Sequence, residues 1–309
     1  MSPVFMQKSV ESETFLEAQK ESYQEDTKEN SAITTQNLTF HYPNCEPVLN
    51  DVSLFIHKGQ RVGIIGHNGC GKTTLFMLLC GVLSPTAGDI SLLGQPVEPG
   101  QFRPEVAMLF QDPDDQLFSP TVREDVAFGP QNMGLDPEAA TNRVNSALAI
   151  TGTDFLADRT PHHLSGGEKQ MVAIAGLLAM HPDVVLLDEP TASLDMRTRR
   201  RLIGFLQKSP ETLLISAHDL EFVLEVCDRV LLIDNGQIIA DGDPLDIMGD
   251  QELMEAHGLE KPHSLIPHVR PHHRRLSVAG QIPVIEEAER AVDSEKPQTR
   301  RKEIRNNQR

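Results

Sequence analysis

Short apolar runs recur along the central part of the chain, separated by stretches whose apolar residues follow a helical period. The runs contain many β-branched residues and end at turn residues, which is typical of strands. Strands are predicted over Ile33–Tyr42, Val52–Ile56, Arg61–Ile65, Gly88–Leu92, Val184–Asp188, Thr212–Ser216, Val230–Ile233 and Gln237–Ala240. Helices are predicted over Lys72–Cys80, Asp136–Ile150, Met196–Lys208, Leu220–Cys227 and Asp243–His257.

Strands and helices alternate over much of this region, and that order favours an α/β fold with a mostly parallel sheet. Two parts depart from the alternation. The first strands follow one another closely and predict a small antiparallel β subdomain. Residues 113–165 are rich in predicted helix and are expected to form a helical lid subdomain. The last two strands flank Asn235-Gly236, a dipeptide typical of a hairpin turn.

A glycine-rich segment, Gly66-His67-Asn68-Gly69-Cys70-Gly71-Lys72-Thr73-Thr74, joins the strand Arg61–Ile65 to the helix that follows. Such glycines let consecutive backbone N–H groups surround phosphate oxygens, and the helix start adds its positive dipole end. We expect Lys72 to reach the β- and γ-phosphates and Thr73 to offer its hydroxyl to Mg²⁺. Strand, loop and helix in this order predict a P-loop NTPase core that binds a nucleoside triphosphate.

One residue of this loop invites a second interpretation. Cys70 lies near the predicted helix start, which is expected to lower the pKa of its thiol. The alternative is a small residue tolerated in the loop without any redox role, and this alternative is favoured.

Two carboxylates end the apolar run Val184–Asp188, at Asp188 and Glu189. In an open α/β sheet, residues at the carboxyl ends of the strands border the crevice where ligands bind. We therefore expect Asp188 to hold the Mg²⁺ shell and Glu189 to polarise an attacking water.

Five further motifs occur in order around the phosphate loop and the strand-end carboxylates. They are Phe40-His41-Tyr42-Pro43, Phe110-Gln111, Leu164-Ser165-Gly166-Gly167-Glu168-Lys169-Gln170 with Ser193-Leu194-Asp195, and Ile215-Ser216-Ala217-His218. Together the motifs resemble the ATP-binding-cassette family over roughly residues 33–245. The heptad at residues 164–170 is the most specific mark of that family and is intact here.

The resemblance implies a role for each matching residue. Tyr42 would stack on adenine, Gln111 would sense Mg²⁺ and a transmembrane partner, and His218 would contact the γ-phosphate. Glu189, His218 and Gln111 would form the catalytic set, with Thr73, Gln111 and Asp188 around Mg²⁺.

The resemblance also implies that ATP is shared across a head-to-tail dimer. The phosphate loop of one chain would supply most contacts, while Ser165, Gly166 and Gly167 of the other chain would complete the γ-phosphate site. Asp195 would cross the same interface. Discrimination of ATP from ADP requires a second surface near the terminal phosphate, and the start of a helix at residues 164–170 would provide one.

The segment Phe110–Val122, continued by Glu124–Pro130, carries a narrower resemblance. It is similar to the ATPase subunits of energy-coupling-factor importers, which include cobalt and nickel systems. This resemblance implies two membrane partners, an integral coupling protein and a separate substrate-capture component. It also implies a homodimer or a pair with a paralogous cassette subunit, and ATP with Mg²⁺ as cofactor.

Composition limits the class of protein further. The chain has 309 residues and a formal net charge of −17, with the acidic excess in residues 31–260. An acidic core suits nucleic acid poorly because a phosphate backbone needs Lys and Arg, so no nucleic-acid partner is expected. No apolar run approaches the roughly 20 residues that cross a bilayer. Without a signal pattern, the protein is expected to be a peripheral subunit on the cytoplasmic face of the membrane.

Composition also divides the chain into three parts. Residues 1–30 are acidic and expected to be disordered, residues 31–260 form the nucleotide-binding domain, and residues 261–309 are rich in His, Pro and Arg. Five histidines lie in or near that tail, which is also expected to be disordered: His257, His263, His268, His272 and His273. They could bind Ni²⁺, Co²⁺ or Zn²⁺, or they could be incidental residues of a solvated tail.

Other functions stay open at this point. The chain could drive a vitamin importer or another ABC transporter. It could also be a soluble cassette ATPase that acts on nucleic acid or the ribosome, which the acidic core and the single cassette disfavour. A non-hydrolysing nucleotide sensor is disfavoured because Glu189 and His218 are both present.

Overall fold

The computed structural model describes residues 30–266 of the chain. The predicted terminal extension and tail therefore lie outside the described residues, except at positions 30 and 261–266. The described strands are β1 Ser31–His41, β2 Pro47–His57, β3 Arg61–Ile65, β4 Ala87–Leu92, β5 Gln95–Pro96, β6 Val106–Leu109, β7 Val184–Asp188, β8 Thr212–Ser216, β9 Arg229–Asp234 and β10 Gln237–Gly242. The described α-helices are α1 Lys72–Leu79, α2 Val122–Asn132, α3 Pro137–Thr151, α4 Gly166–Ala179, α5 Met196–Leu206, α6 Leu220–Val226, α7 Pro244–Gly249 and α8 Gln251–Ala256.

The main sheet has six strands in the order β10-β9-β3-β8-β7-β6. All neighbouring strands from β9 to β6 are parallel, and only β10 pairs antiparallel, with β9. The carboxyl ends of the parallel strands therefore meet at one edge of the sheet. The segments that follow β3, β6, β7 and β8 all leave from this edge, which confirms the predicted α/β fold with a mostly parallel sheet.

The second sheet has four strands in the order β2-β1-β4-β5 and is antiparallel throughout. It confirms the small antiparallel subdomain that the closely spaced first strands predict. Helix α1 packs between this sheet and one face of the main sheet, where Phe76 and Leu79 meet Val62 and Ile64. The strands of the main sheet are apolar on both faces because each face is covered.

The opposite face of the main sheet carries the helices of the lid and of the C-terminal half. Helices α2, α3 and α4 pack against each other, as the helix-rich pattern predicts. Local signals set their ends: the Asp136 carboxylate accepts from the N–H groups of Glu138 and Ala139 at the start of α3. The helix ends at Gly152, which adopts a left-handed conformation (φ 68°) that glycine tolerates.

One predicted helix is divided in the structure. The stretch Asp243–His257 forms two short helices, α7 and α8, that meet at Asp250. The Asp250 carboxylate accepts from the N–H of Leu253 and so begins a new helix, while Lys261 Nζ donates to Gly249 O at the end of the first. Helical periodicity alone does not reveal such a break, because an N-capping aspartate is also an ordinary surface residue of a helix.

Candidate functional site

The loop between β3 and α1 packs closely against neighbouring segments of β2 and β9. A Cβ atom on Gly66 (φ 155°) would lie 2.2 Å from the carbonyl oxygen of Ile233. A Cβ atom on Gly71 (φ 109°) would lie 2.7 Å from Leu49 Cδ2 and 3.0 Å from Val48 O. Positive φ and these short approaches together require glycine at both positions. The loop geometry is therefore fixed by the strands on either side.

Lys72 is the buried cation of this loop. Its ammonium donates to the carbonyl oxygens of Gly66 (2.8 Å) and His67 (3.1 Å). Because both acceptors are neutral, these contacts position the positive charge over the loop without cancelling it. The predicted helix starts at Lys72 itself, so the charge adds to the positive end of the helix dipole.

Asp188 ends β7 beside this loop and is almost fully buried, with 1% of its surface exposed. Thr73 Oγ1 donates to Asp188 Oδ2 over 2.6 Å, and Ser216 Oγ donates to Asp188 Oδ1 over 2.8 Å. The Asp188 carboxylate thus accepts hydrogen bonds from hydroxyl groups of α1 and β8. This cluster of oxygen atoms is of the kind that Mg²⁺ prefers, so the residues present fit such an ion. Ser216 was missed by sequence reasoning; a polar residue that ends the apolar run Thr212–Ser216 was the available signal.

Glu189 adopts a left-handed backbone conformation (φ 49°), which costs a non-glycine residue about 1–3 kcal/mol. Its N–H donates to Ser216 O (2.9 Å), and its Oε2 accepts from the N–H of His218 (3.1 Å). The other oxygen, Oε1, is buried and accepts no hydrogen bond from the described residues, although His218 Nε2 lies 3.4 Å away. Burial raises the pKa of this carboxyl group, against the lowering effect of His218. An unpartnered oxygen of this kind is suited to accept a hydrogen bond from a water molecule.

These side chains share a small cavity of about 180 Å³. Its lining also contains Gln111, which leaves the main sheet after β6, and so includes residues from four of the predicted motifs. The lining residues are Val48, Asn68, Gly69, Gly71, Lys72, Thr73, Thr74, Gln111, Asp188, Glu189, Ser216 and His218.

Tyr42 stands at the mouth of the same region, directly after β1. Its hydroxyl lies 3.5 Å from Thr74 Oγ1, and its ring meets Phe40 edge-on at 4.9 Å between centroids. Just over a third of the residue is exposed. An exposed aromatic ring therefore lies near the start of α1.

Cys70 and His67 belong to the loop but do not line the cavity. Burial raises the pKa of the Cys70 thiol by more than the Lys72 ammonium lowers it, so the expected lowering is wrong. His67 Nε2 donates to Asp234 Oδ1 (2.8 Å), and His257 Nδ1 donates to Asp234 Oδ2 (2.7 Å). These two imidazoles, His257 first, hold the pKa of Asp234 below its usual value.

The residues at 164–170 form the start of α4, away from the phosphate loop. Ser165 caps the helix: its Oγ accepts from Glu168 N–H, while Glu168 Oε2 accepts from the Ser165 N–H (2.8 Å). Gly166 and Gly167 lie against the loop that follows β7, where added Cβ atoms would come within 3.3 Å of Ser193. The glycines thus allow the two loops to approach closely.

Asp195 lies on the second of these loops and caps α5, accepting from the N–H groups of Arg197 and Thr198. Ser165, Gly166, Gly167 and Asp195 line a separate cavity of about 310 Å³. No described residue lines both this cavity and the one beside Lys72. Within one chain, the structure brings the predicted partner-contact residues together with each other and not with the phosphate loop.

Comparisons with known proteins agree with this geometry. The family described as ABC transporter matches residues 49–192. A protein of Synechocystis sp. named as an ABC transporter ATP-binding protein is 63% identical over 234 residues, which cover 76% of this chain and 82% of that protein. The energy-coupling factor transporter ATP-binding protein EcfA of Methanothermobacter thermautotrophicus is 44% identical over 238 residues, which cover 74% and 76%.

A solved structure gives the same result at the level of the fold. The structure of cbiO1 from Clostridium perfringens, described as part of the ABC transporter complex cbiONQ, is 35% identical. It has a TM-score of 0.66 and covers 74% of this chain and 94% of that one. Among residues 30–266, no helix is long and apolar enough to cross a membrane. The chain belongs to the ABC transporter ATP-binding proteins and is an ATPase whose ATP hydrolysis is coupled to transport.

Proposed function

We propose that this chain is the ATP-hydrolysing motor subunit of an energy-coupling-factor importer. The similarity to EcfA over most of both chains supports this assignment, as does the similarity to cbiO1. The motor would sit on the cytoplasmic face of the membrane, bound to an integral coupling protein that works with a substrate-capture component. The observation that carries the hydrolytic part is the buried Glu189 Oε1, which accepts no hydrogen bond from residues 30–266 and lies in the cavity lined by Lys72 and Asp188.

ATP would bind with its triphosphate over the loop from Gly66 to Thr74. Lys72 would turn from the carbonyl oxygens of the loop towards the β- and γ-phosphates, exchanging neutral partners for anionic ones. The exposed ring of Tyr42 would stack on adenine. The hydroxyl of Thr73, the carboxylate of Asp188 and the amide of Gln111 would hold Mg²⁺ and its waters, and that ion would neutralise charge on the phosphates.

Hydrolysis would depend on Glu189 and His218. The N–H of His218 fixes one carboxylate oxygen of Glu189 and leaves the other directed at the cavity, where it would orient the attacking water. The imidazole of His218 would steady the γ-phosphate. Because burial raises the pKa of Glu189, ionisation would require a higher pH than for an ordinary glutamate, and this strengthens its basicity near neutral pH.

Each nucleotide would be shared between two cassettes that face opposite ways. The cavity beside Lys72 and the cavity beside Ser165 are separate in one chain, and a head-to-tail dimer would bring the first of one copy against the second of the other. Ser165, Gly166, Gly167 and Asp195 would then complete the γ-phosphate site from the partner copy. A paralogous cassette could replace the second copy.

The segment after Gln111 would receive the membrane partner. Phe118 and Phe128 pack edge-on at 4.8 Å and remain largely exposed. Asp114, in the same segment, forms an ion pair with Lys169 of α4 (2.5 Å), so the segment and the start of α4 are in direct contact. Exposed aromatic residues of this kind are suited to an interface with another chain.

For the transported substrate we propose cobalt or nickel ions. The proposal depends on the energy-coupling-factor resemblance and on the histidines near the tail. His257 is already bound to Asp234, and no group of three or more ligating side chains among residues 30–266 is arranged for a metal, so the described part adds no support. His268, His272 and His273 lie outside the described residues. A vitamin remains the alternative substrate within the same class.

An uptake experiment tests the proposed motor function and the proposed metal substrate separately. The chain is expressed with its membrane partners, and uptake of radioactive Co²⁺ or Ni²⁺ is compared with that of labelled vitamins, for the wild type and for Glu189→Gln. We expect metal uptake that is lost in the variant. Vitamin uptake that is lost in the variant would contradict the metal assignment, while uptake unaffected by the variant would contradict the proposed motor.

A further inference from the structure

A guanidinium group lies between α5 and the start of α6, close to the site but outside the cavity. Arg199 is on α5, one turn after the cap at Asp195, and only 14% of its side chain is exposed. Its Nε donates to Asp219 Oδ2 over 2.8 Å, and its Nη1 donates to Glu225 Oε1 over 3.2 Å. The guanidinium carbon also lies 5.8 Å from the centre of the Phe222 ring.

Asp219 has two functions at once. Its Oδ1 accepts from the N–H of Phe222 (3.0 Å) and so caps α6, while its Oδ2 accepts from Arg199. Both oxygens are therefore fixed, one by the helix that follows and one by the neighbouring helix. A half-buried arginine with planar donors restrains a carboxylate more than a flexible lysine would.

Asp219 directly follows His218, and His218 contacts Glu189 through its N–H (3.1 Å) and its ring (3.4 Å). The dipeptide His218-Asp219 thus bonds to Glu189 on one side and to Arg199 on the other. Arg199 in turn belongs to the helix that begins at Asp195. The guanidinium group is a direct side-chain link between the first turn of α5 and this dipeptide.

We propose that Arg199 is a positioning residue for hydrolysis, which holds His218-Asp219 so that His218 stays aligned on Glu189. The inference rests on the role proposed above for His218. Arg199 does not line the cavity beside Lys72 and acts through Asp219. Because misplacement of a reacting group by about 1 Å can reduce turnover by roughly 10²-fold, a small shift of His218 is sufficient for a large effect.

The test compares two arginines of the same helix in the chain assembled with its membrane partners. Arg199→Gln is expected to lower kcat by roughly 10- to 100-fold while KM for ATP stays unchanged. Arg200→Gln is the matched control: Arg200 is 63% exposed and pairs only with Glu225 among the described residues. Its kcat is expected to remain within about twofold of the wild type, since exposed ion pairs contribute little. Arg199→Lys, which keeps one bond to Asp219, is expected to restore part of kcat.

A double-variant cycle shows whether the effect passes through Asp219. Asp219→Asn keeps a good helix cap and removes the charge that Arg199 contacts. If Arg199 acts through Asp219, the loss of kcat in the double variant Arg199→Gln/Asp219→Asn equals that in the worse single variant. Multiplicative losses, or a change confined to KM or to Tm, would overturn the inference. If Arg199→Gln does not fold, Arg199→Lys and Asp219→Asn supply the same comparison.

His218→Ala, measured in parallel, separates this inference from the proposed function. If His218→Ala abolishes turnover while Arg199→Gln behaves like Arg200→Gln, the inference fails and the proposed function stands. If His218→Ala retains full turnover, the role proposed for His218 fails, and with it the basis of the inference.

Discussion

The phosphate loop and the start of α4 are both glycine-rich segments that lead into a helix, yet they differ in the side chains that surround them. Around the loop, Lys72, Thr73, Asp188 and Glu189 converge on one cavity from the ends of two strands of the main sheet, β3 and β7. At the start of α4, Ser165 and Glu168 satisfy each other, and the adjoining cavity contains no residue of the loop. The first segment shares its cavity with the strand-end carboxylates Asp188 and Glu189 of the same chain, whereas the cavity beside the second segment is lined by neither of them.

This difference suggests how the two segments divide the reaction. In the proposed function, Lys72, Thr73 and Asp188 supply the charge and oxygen atoms for triphosphate and Mg²⁺, so binding should depend on one chain. The capped helix start adds backbone N–H groups and a positive dipole end, which favour an anion presented by another molecule. We therefore expect variants of the first segment to affect affinity, and variants of the second to affect turnover alone.

The largest effect should come from Glu189→Gln. Removal of the base is expected to lower turnover by roughly 10²- to 10⁴-fold while ATP still binds. ATP-bound dimers should then accumulate, and gel filtration with and without ATP measures them. Undiminished turnover in this variant would contradict the role of Glu189.

Lys72→Ala should act on binding. Loss of a charge-assisted contact to the phosphates is expected to weaken ATP affinity by roughly 10- to 100-fold, as measured by titration with a fluorescent nucleotide. Lys58→Ala, which alters an exposed lysine at the turn after β2, is the matched control. Equal affinity in the two variants would show that the loop does not bind triphosphate through Lys72.

Ser165→Asp should act on turnover alone. Aspartate and asparagine both cap helices well, so the start of α4 is retained in Ser165→Asp and in the control Ser165→Asn. Only aspartate places a negative charge against the phosphates held by a partner chain, and turnover is expected to fall by at least roughly tenfold. An ATP affinity that falls as much as turnover would place Ser165 at the nucleotide of its own chain instead.

The smallest effect concerns stability. Because burial raises the folded-state pKa of Glu189, its ionised form destabilises the fold above the pKa of the unfolded chain. Glu189→Gln should therefore have a higher Tm than the wild type at pH 8, and the difference should shrink as the pH falls through the folded-state pKa. A difference in Tm that grows on acidification would contradict the raised pKa. Calorimetry without nucleotide, repeated at several pH values, measures the difference in Tm between the variant and the wild type.

The parts of the site that could be predicted from the sequence are contiguous in it. The loop from Gly66 to Thr74 lies between a strand and a helix, and Asp188 and Glu189 end an apolar run, so local chemistry indicates both. The order of the strands was not predictable in this way. Strand β8 lies between β3 and β7, and only this order brings Ser216 against Asp188.

Contacts over long distances along the chain were missed for the same reason. His67 and His257 meet on Asp234 because the hairpin of β9 and β10 returns the chain to the loop. Arg199 and Asp219 pair because two helices pack side by side. In each case the residue types are ordinary for an exposed surface, and only the packing of the elements makes them partners.

The sharing of one nucleotide between two chains is tested most directly by mixing two variants that are each impaired, one in ATP binding and the other in turnover. Lys72→Ala has a defective loop and an intact start of α4, whereas Ser165→Asp has the reverse. In a mixed dimer one site combines the intact loop with the intact helix start, so an equal mixture should recover roughly a quarter of wild-type turnover. Turnover equal to the average of the two separate variants, in a mixture shown to contain mixed dimers, would mean that each chain hydrolyses ATP alone.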